Sequence, residues 1–366
     1  MHIWEYYPAD AETEYRQCLD EGLAAEPYEQ LFTAVQAMPR GGVQKEFGDA
    51  LFDLTRSLET REGYRYNEPS DPEGIKSLCK KYPLDIKPIK EGDYDKVYGA
   101  WMGRICGCMH GKPVEGVRTN IFIPFLKETG NYPLKRYIYK SDFTDEMYEK
   151  YKDYPFKERV YADEIDCMPW DDDTNYVVLD QCIIEKYGKE FTAENVAKAW
   201  TELQKKDAYC TAERVAFCNF INGYKPPYSA IYKNPYREWI GAQIRGDYYG
   251  YIFPGDPEKA AEAAYKDASI SHVKNGIYGE MFVAAALAIA ACTDDMTTIC
   301  LAVETGFDTD CNGATAGSVF GMAYGINAIP EYWKKPINDT LETTVFGVGT
   351  VKISDRVKLT LKHIAK

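Results

Sequence analysis

The sequence has no long apolar run. Its longest, Met281 to Cys292, is 12 residues, well short of the roughly 20 that cross a bilayer, so it is expected as a buried helix and no membrane partner is expected. Basic residues are not in excess either. Lys and Arg number 43 against 57 Asp and Glu, for a net charge of −14, which disfavours nonspecific binding to nucleic acid or to anionic lipid. The opening stretch Met1-His2-Ile3-Trp4-Glu5-Tyr6-Tyr7 lacks the basic region and apolar core of a signal peptide, so a cytoplasmic location is expected. Cysteine is plentiful at 11, but the count is odd and no Cys-x-x-Cys pair occurs; Cys106 and Cys108 are the closest two. Zinc-finger and thioredoxin readings are weak on that spacing, and free thiols in a reducing compartment fit best.

What the chain does have is acid in clusters. Across 366 residues, 45% apolar and 27% charged, there is room for one large domain or two smaller ones with a sizeable core. Pro169 and Trp170 lead into Asp171-Asp172-Asp173-Thr174, and apolar residues follow at once: Tyr176, Val177, Val178, Leu179, Ile183 and Ile184. The pattern predicts a loop turning into a buried helix with carboxylates in its first turn, where they complement the helix dipole. Three carboxylates so close repel one another, and a bound cation would relieve the repulsion. A second cluster, Gly306-Phe307-Asp308-Thr309-Asp310-Cys311-Asn312-Gly313, also opens a helix-like run. Two such clusters suit hard cations with oxygen ligands, Mg²⁺ or Mn²⁺ above all. Solvated helix caps are the alternative reading.

Glycine marks two more elements. Residues 99, 103, 107 and 111 are glycine, as are 313, 317, 321 and 325. On a helix a period of four lays them in one stripe. Each costs about 0.8–1 kcal/mol against alanine, and close approach of another helix offsets that cost. The two striped helices are therefore expected to form a tightly packed centre, with Glu115, at the exit of the first, approaching the aspartates.

The rest reads as helix and connection. Glu12–Leu23, Tyr28–Met38 and Val43–Leu58 have amphipathic spacing, and residues 1–90 are expected as a helical N-terminal extension, 59–92 being a linker, ahead of a catalytic domain over 91–366. Residues 118–168 read as an irregular surface insertion. Residues 222–256 read as a long loop, studded with Pro and Gly pairs. Loops of that length are usually functional, and Trp239, Gln243 and Arg245 within it, with Tyr236, offer stacking faces and donors for a base, ribose or phosphate. Thr192 and Asp256 cap further helices. Ser271-His272-Val273-Lys274-Asn275-Gly276 holds one of only four His; His272 and Asn275 are candidates for substrate contact, with a structural role for His272 as the alternative. The chain is thus expected to be all-α.

The ordered set Gly103-x3-Gly107-x3-Gly111-x-Pro113-x-Glu115, Asp171-Asp172-Asp173-Thr174, Ser271-His272, Gly306-x-Asp308-Thr309-Asp310 and Pro330-x-x-Trp333 resembles the ADP-ribosylglycohydrolase family over roughly residues 93–335. The resemblance implies an orthogonal helical bundle with a two-magnesium centre, Mn²⁺ being an acceptable substitute. It implies Asp171, Asp172, Asp173, Asp308, Asp310 and Cys311 as metal-site positions, and Glu115, Asp172 and Asp310 as catalytic ones. Gly111, Asn312 and Gly313 join the candidate substrate contacts. Asp171 stands where the family usually has a hydroxyl, and Cys311 where it usually has Thr or Ser; a thiol is a poor magnesium ligand. The implied activity is hydrolysis of an N- or O-glycosidic bond at the ribose of an ADP-ribosyl or related small-molecule substrate, free or carried on a protein side chain. A metal-dependent phosphohydrolase and a non-catalytic nucleotide-binding relative are the alternatives.

Overall fold

The computed structural model describes residues 2–79, 86–293 and 309–366. Among these the chain is all-α: helices and short 3-10 turns, with one antiparallel pair of two-residue strands, Thr340–Leu341 and Val351–Lys352. None of the described helices is long and apolar enough to cross a membrane. The chain folds as two compact units. One comprises Met1–Tyr82, Glu190–Gln243 and Tyr265–Glu280; the other comprises Pro83–Lys189, Ile244–Ala264 and Met281–Lys366. Residues 190–243 and 265–280 thus gather with the N-terminal helices rather than with the remainder of 91–366.

In the first unit the helices Ala11–Asp20, Glu29–Ala37 and Gly42–Ser57 follow the amphipathic spacing. Their apolar faces meet in a cluster of Tyr7, Ala11, Phe32, Val35, Leu51 and Phe52. The expected linker over 59–92 carries a helix of its own, Pro72–Leu78, started by Asp71, whose carboxylate accepts from Gly74 N–H at 2.7 Å. Thr192 caps Ala193–Leu203 reciprocally with Asn195, at 3.3 and 3.0 Å, as a capping box does. Arg237 is buried because both Glu14 and Glu21 meet its guanidinium.

The second unit is built on the two glycine helices, Tyr94–Gly111 and Thr309–Tyr324. They run antiparallel, Gly99 against Gly321, Gly103 against Gly317 and Gly107 against Gly313. A Cβ at any of the six would come within 3.0 Å of the facing backbone carbonyl, so the glycines permit a backbone-to-backbone approach that alanine would block. The start of Thr309–Tyr324 therefore lies beside the end of Tyr94–Gly111.

Two expectations are corrected. Residues 118–168 are not an irregular insertion. They contain the helices Thr119–Glu128 and Asp145–Lys150 and an apolar cluster centred on Phe125, Ile138, Phe156 and Tyr161; scattered aromatics without helical period build that core. Residues 222–256 are not a long loop either. They hold Tyr228–Ile231, the 3-10 stretch Ile240–Arg245 and Asp247–Ile252, and the Pro and Gly pairs mark the ends of these short elements. The tail carries the strand pair and a final helix, Ile353–Ala365.

Candidate functional site

The acid triplet opens the helix Asp172–Tyr187, with Asp171 as its N-cap. Asp171 Oδ1 accepts the Asp173 N–H at 3.0 Å, and Thr174 Oγ1 donates to the Asp171 carbonyl at 3.1 Å. This satisfies donors that a helix start otherwise leaves open. The strand-like segment before it is pinned by Met168, which exchanges two backbone hydrogen bonds of 2.9 Å with Thr340 and Glu342. One turn on, the Asn175 amide exchanges bonds of 2.6 and 3.1 Å with Thr344. Asp171 and Asp173 are buried, at 5% and 1% exposure, while Asp172 between them is only half-buried.

Protein cations meet two of these carboxylates. Lys112, just past Gly111, places its ammonium on Asp171 Oδ2. Burial opposes its charge, yet Asp171 holds the Lys112 ammonium above its ordinary range. Arg104, from the middle of the glycine helix, donates through Nε to the Asp173 carbonyl at 2.6 Å and through Nη2 to Asp173 Oδ1 at 3.2 Å and to the Ile244 carbonyl at 2.7 Å. Its Nη1 lies 2.9 Å from Asp247 Oδ1, an ion pair outside hydrogen-bond angles. Burial works against the guanidinium, and Asp247 and Asp173 more than offset it. The repulsion within the triplet is therefore relieved in part by the chain itself.

The ligand atoms of Cys108, Asp171 and Asp173 all lie within 4.8 Å of one another, and all three residues are buried. This is the one group of its kind among the described residues. Two carboxylates are the hard donors that Mg²⁺ or Mn²⁺ takes, and the thiol is the soft exception. Glu115 follows the 3-10 turn Lys112–Val114. Its Oε2 accepts from Arg159 Nη1 at 2.8 Å and its carbonyl from Arg159 Nη2 at 2.6 Å.

Of the other expected site residues, Arg245 is fully buried, with its guanidinium 5.6 Å from the centre of the Tyr176 ring on the acidic helix. Gly111 ends the first glycine helix beside Lys112. Cys311 is buried and Asn312 half-buried in the first turns of the second, and Gly313 faces the Gly107 carbonyl. Asp308 and the side chain of Asp310 lie outside the described residues. Trp239, Gln243, His272 and Asn275 belong to the first unit. There Trp239 is exposed beside Tyr236, and His272 Nδ1 sits 2.9 Å from Ser271 Oγ. The Asn275 amide donates to Glu238 at 2.7 Å and to Glu68 at 3.2 Å.

Sequence reasoning missed Arg104, Cys108 and Lys112. A signal existed for Arg104: it is the one charge inside the run from Val97 to Met109, and a charge in a buried helix must have partners. A protein-family model described as ADP-ribosylglycohydrolase matches residues 90–297 and 283–357. No match is found among curated proteins. Glycine helices packed against each other, an acidic helix start beside their ends, and a family match over most of its length together establish that the chain belongs to the ADP-ribosylglycohydrolase family.

Proposed function

We propose that the chain is a metal-dependent glycosidic hydrolase, cleaving an N- or O-glycosidic bond at the ribose of ADP-ribose or of a related ribosyl compound. Family membership supports hydrolase chemistry in general. The observation that carries the reading is the buried Cys108, Asp171 and Asp173 group at the start of the acidic helix, with half-buried Asp172 between the two aspartates.

Such a reaction passes through a transition state with oxocarbenium character and needs a positioned water. A divalent ion, when bound, would polarise ribose hydroxyls and acidify that water. Asp172 and Asp173, with Asp308 and Asp310, are the residues proposed to hold such an ion, Asp171 lying beside them with Lys112 on its carboxylate. The chain's own contribution is to fix Asp171 by its cap bond and Asp173 by Arg104, so that little reorganisation is left there for the reaction. Asp172 is the most accessible carboxylate of the triplet and the first choice for contact with the reacting centre. Glu115, or Asp310, is proposed to orient the water or accept its proton.

Product analysis tests the proposal. With Mn²⁺ or Mg²⁺ present, the protein should release a free ribose-bearing sugar from at least one of ADP-ribosyl-arginine, ADP-ribosyl-serine, ADP-ribose or a simple nucleoside, without inorganic phosphate. Phosphate as the only product would mark a phosphohydrolase instead. Binding of ADP-ribose with no turnover of any of the four would mark a non-catalytic relative.

A further inference from the structure

Asp171 carries its own cation. We infer that the Lys112 ammonium takes the place of one of the two metal ions, so that this chain binds a single divalent cation. The inference rests on the metal-dependent reading above and concerns how many ions that centre holds.

Lys112 follows the last residue of Tyr94–Gly111, and its N–H still bonds the Cys108 carbonyl. The C-terminal end of a helix favours a positive charge, and Pro113 fixes the chain directly beyond it. The Lys112 side chain is only 18% exposed, and that of Asp171 is 5% exposed. Two charges so far withdrawn from water persist because each is the other's partner; removing one leaves the other buried and uncompensated. Both oxygens of Asp171 are engaged, Oδ1 by the Asp173 N–H at 3.0 Å and Oδ2 by Lys112. A metal ion ligated by Asp171 would have to displace the ammonium or sit beside it, a dication against a half-buried cation. Asp173 differs: Arg104 meets it at 3.2 Å but is shared with Asp247 at 2.9 Å. The Asp173 side, where Arg104 is divided between two carboxylates, is where the one ion is proposed to bind.

Manganese titration of the full chain, with free Mn²⁺ followed by its electron paramagnetic resonance signal, tests this. The unchanged protein should bind one ion. Lys112→Met keeps the length of the side chain and drops its charge; it should bind a second ion, or bind Mn²⁺ at least about tenfold more tightly. Because that variant leaves a buried carboxylate unmatched, a charge-neutral partner is needed, Lys112→Met with Asp171→Asn. If Asp171 serves Lys112 and not a metal, the double variant should still bind one ion, with a Kd within about threefold of the unchanged protein. Two ions in the unchanged protein, an unaltered Lys112→Met, or loss of the ion in the double variant would each overturn the inference and leave the hydrolase reading standing. No Mn²⁺ bound by any of the three proteins would overturn both.

Discussion

His110 sits on the first glycine helix with its ring centroid 4.9 Å from that of Trp333, edge to face, and its Nδ1 is buried without a hydrogen-bond partner. Burial pushes its pKa down to about 4 from the ordinary 6.5. The unfolded chain therefore takes up the proton first, and stability falls as pH drops from about 6.5 towards 4. Between pH 7.5 and 5 this one residue should account for about 2 kcal/mol of lost stability. His110→Gln should lose about that much less over the same interval, read from urea midpoints at the two pH values; parallel losses in both proteins would show that His110 does not titrate with folding. Charged residues behave differently here, since buried Arg104 and half-buried Lys112 have partners. Their roles were not legible in the sequence for a simple reason. Lys112 pairs with a residue 59 positions away, and Arg104 with one 69 away. Only the packing of the helices brings them together. The helix start at the acid triplet was legible, because its signals are local: the cap donor lies two residues on from Asp171.

At the scale of elements, the glycine stripes carried the most information. A period of four with no side chain has one economical cause, close helix contact, and Gly99, Gly103 and Gly107 do meet Gly321, Gly317 and Gly313. The cost of breaking that contact is testable. Gly103→Ala gains up to about 1 kcal/mol of helix propensity but drives a methyl into the Gly317 carbonyl, and overpacking of this kind costs about 1–3 kcal/mol. A methyl against backbone has nowhere to turn, so the net effect should be a loss of at least about 1 kcal/mol. Gly279 provides the contrast. It lies in the helix Lys274–Ala290, and its added Cβ would meet only Gln243 at an ordinary 3.7 Å. Gly279→Ala should be neutral or gain up to about 1 kcal/mol. Denaturant midpoints of the two variants read the difference, and equal effects would contradict the packing described. The elements that escaped the sequence lack periodicity. Ile240–Arg245 and Asp247–Ile252 are six residues each, too short for a helical repeat to show. The core around Phe125 and Phe156 is aromatic and spread over several turns.

On the scale of the whole molecule, the two compact units draw on interleaved stretches of chain. A reading in sequence order saw an extension followed by a catalytic domain, because a linear pattern does not reveal that residues 190–243 and 265–280 gather with the N-terminal helices. The family resemblance spans the interleaving and was legible from ordered motifs alone. The Lys112–Asp171 pair was beyond them. If the acidic helix start performs glycosidic hydrolysis, the reaction depends first on Asp172, the most accessible carboxylate of the triplet. The measurement is the rate of sugar release by Asp172→Ala beside the unchanged protein, both in Mn²⁺, on the best substrate of the panel, with melting curves to show that both are folded. Asp172→Ala should lose about 100-fold or more with the fold retained, as for removal of one member of a group that acts as a unit. Full activity in a folded Asp172→Ala protein would contradict that dependence.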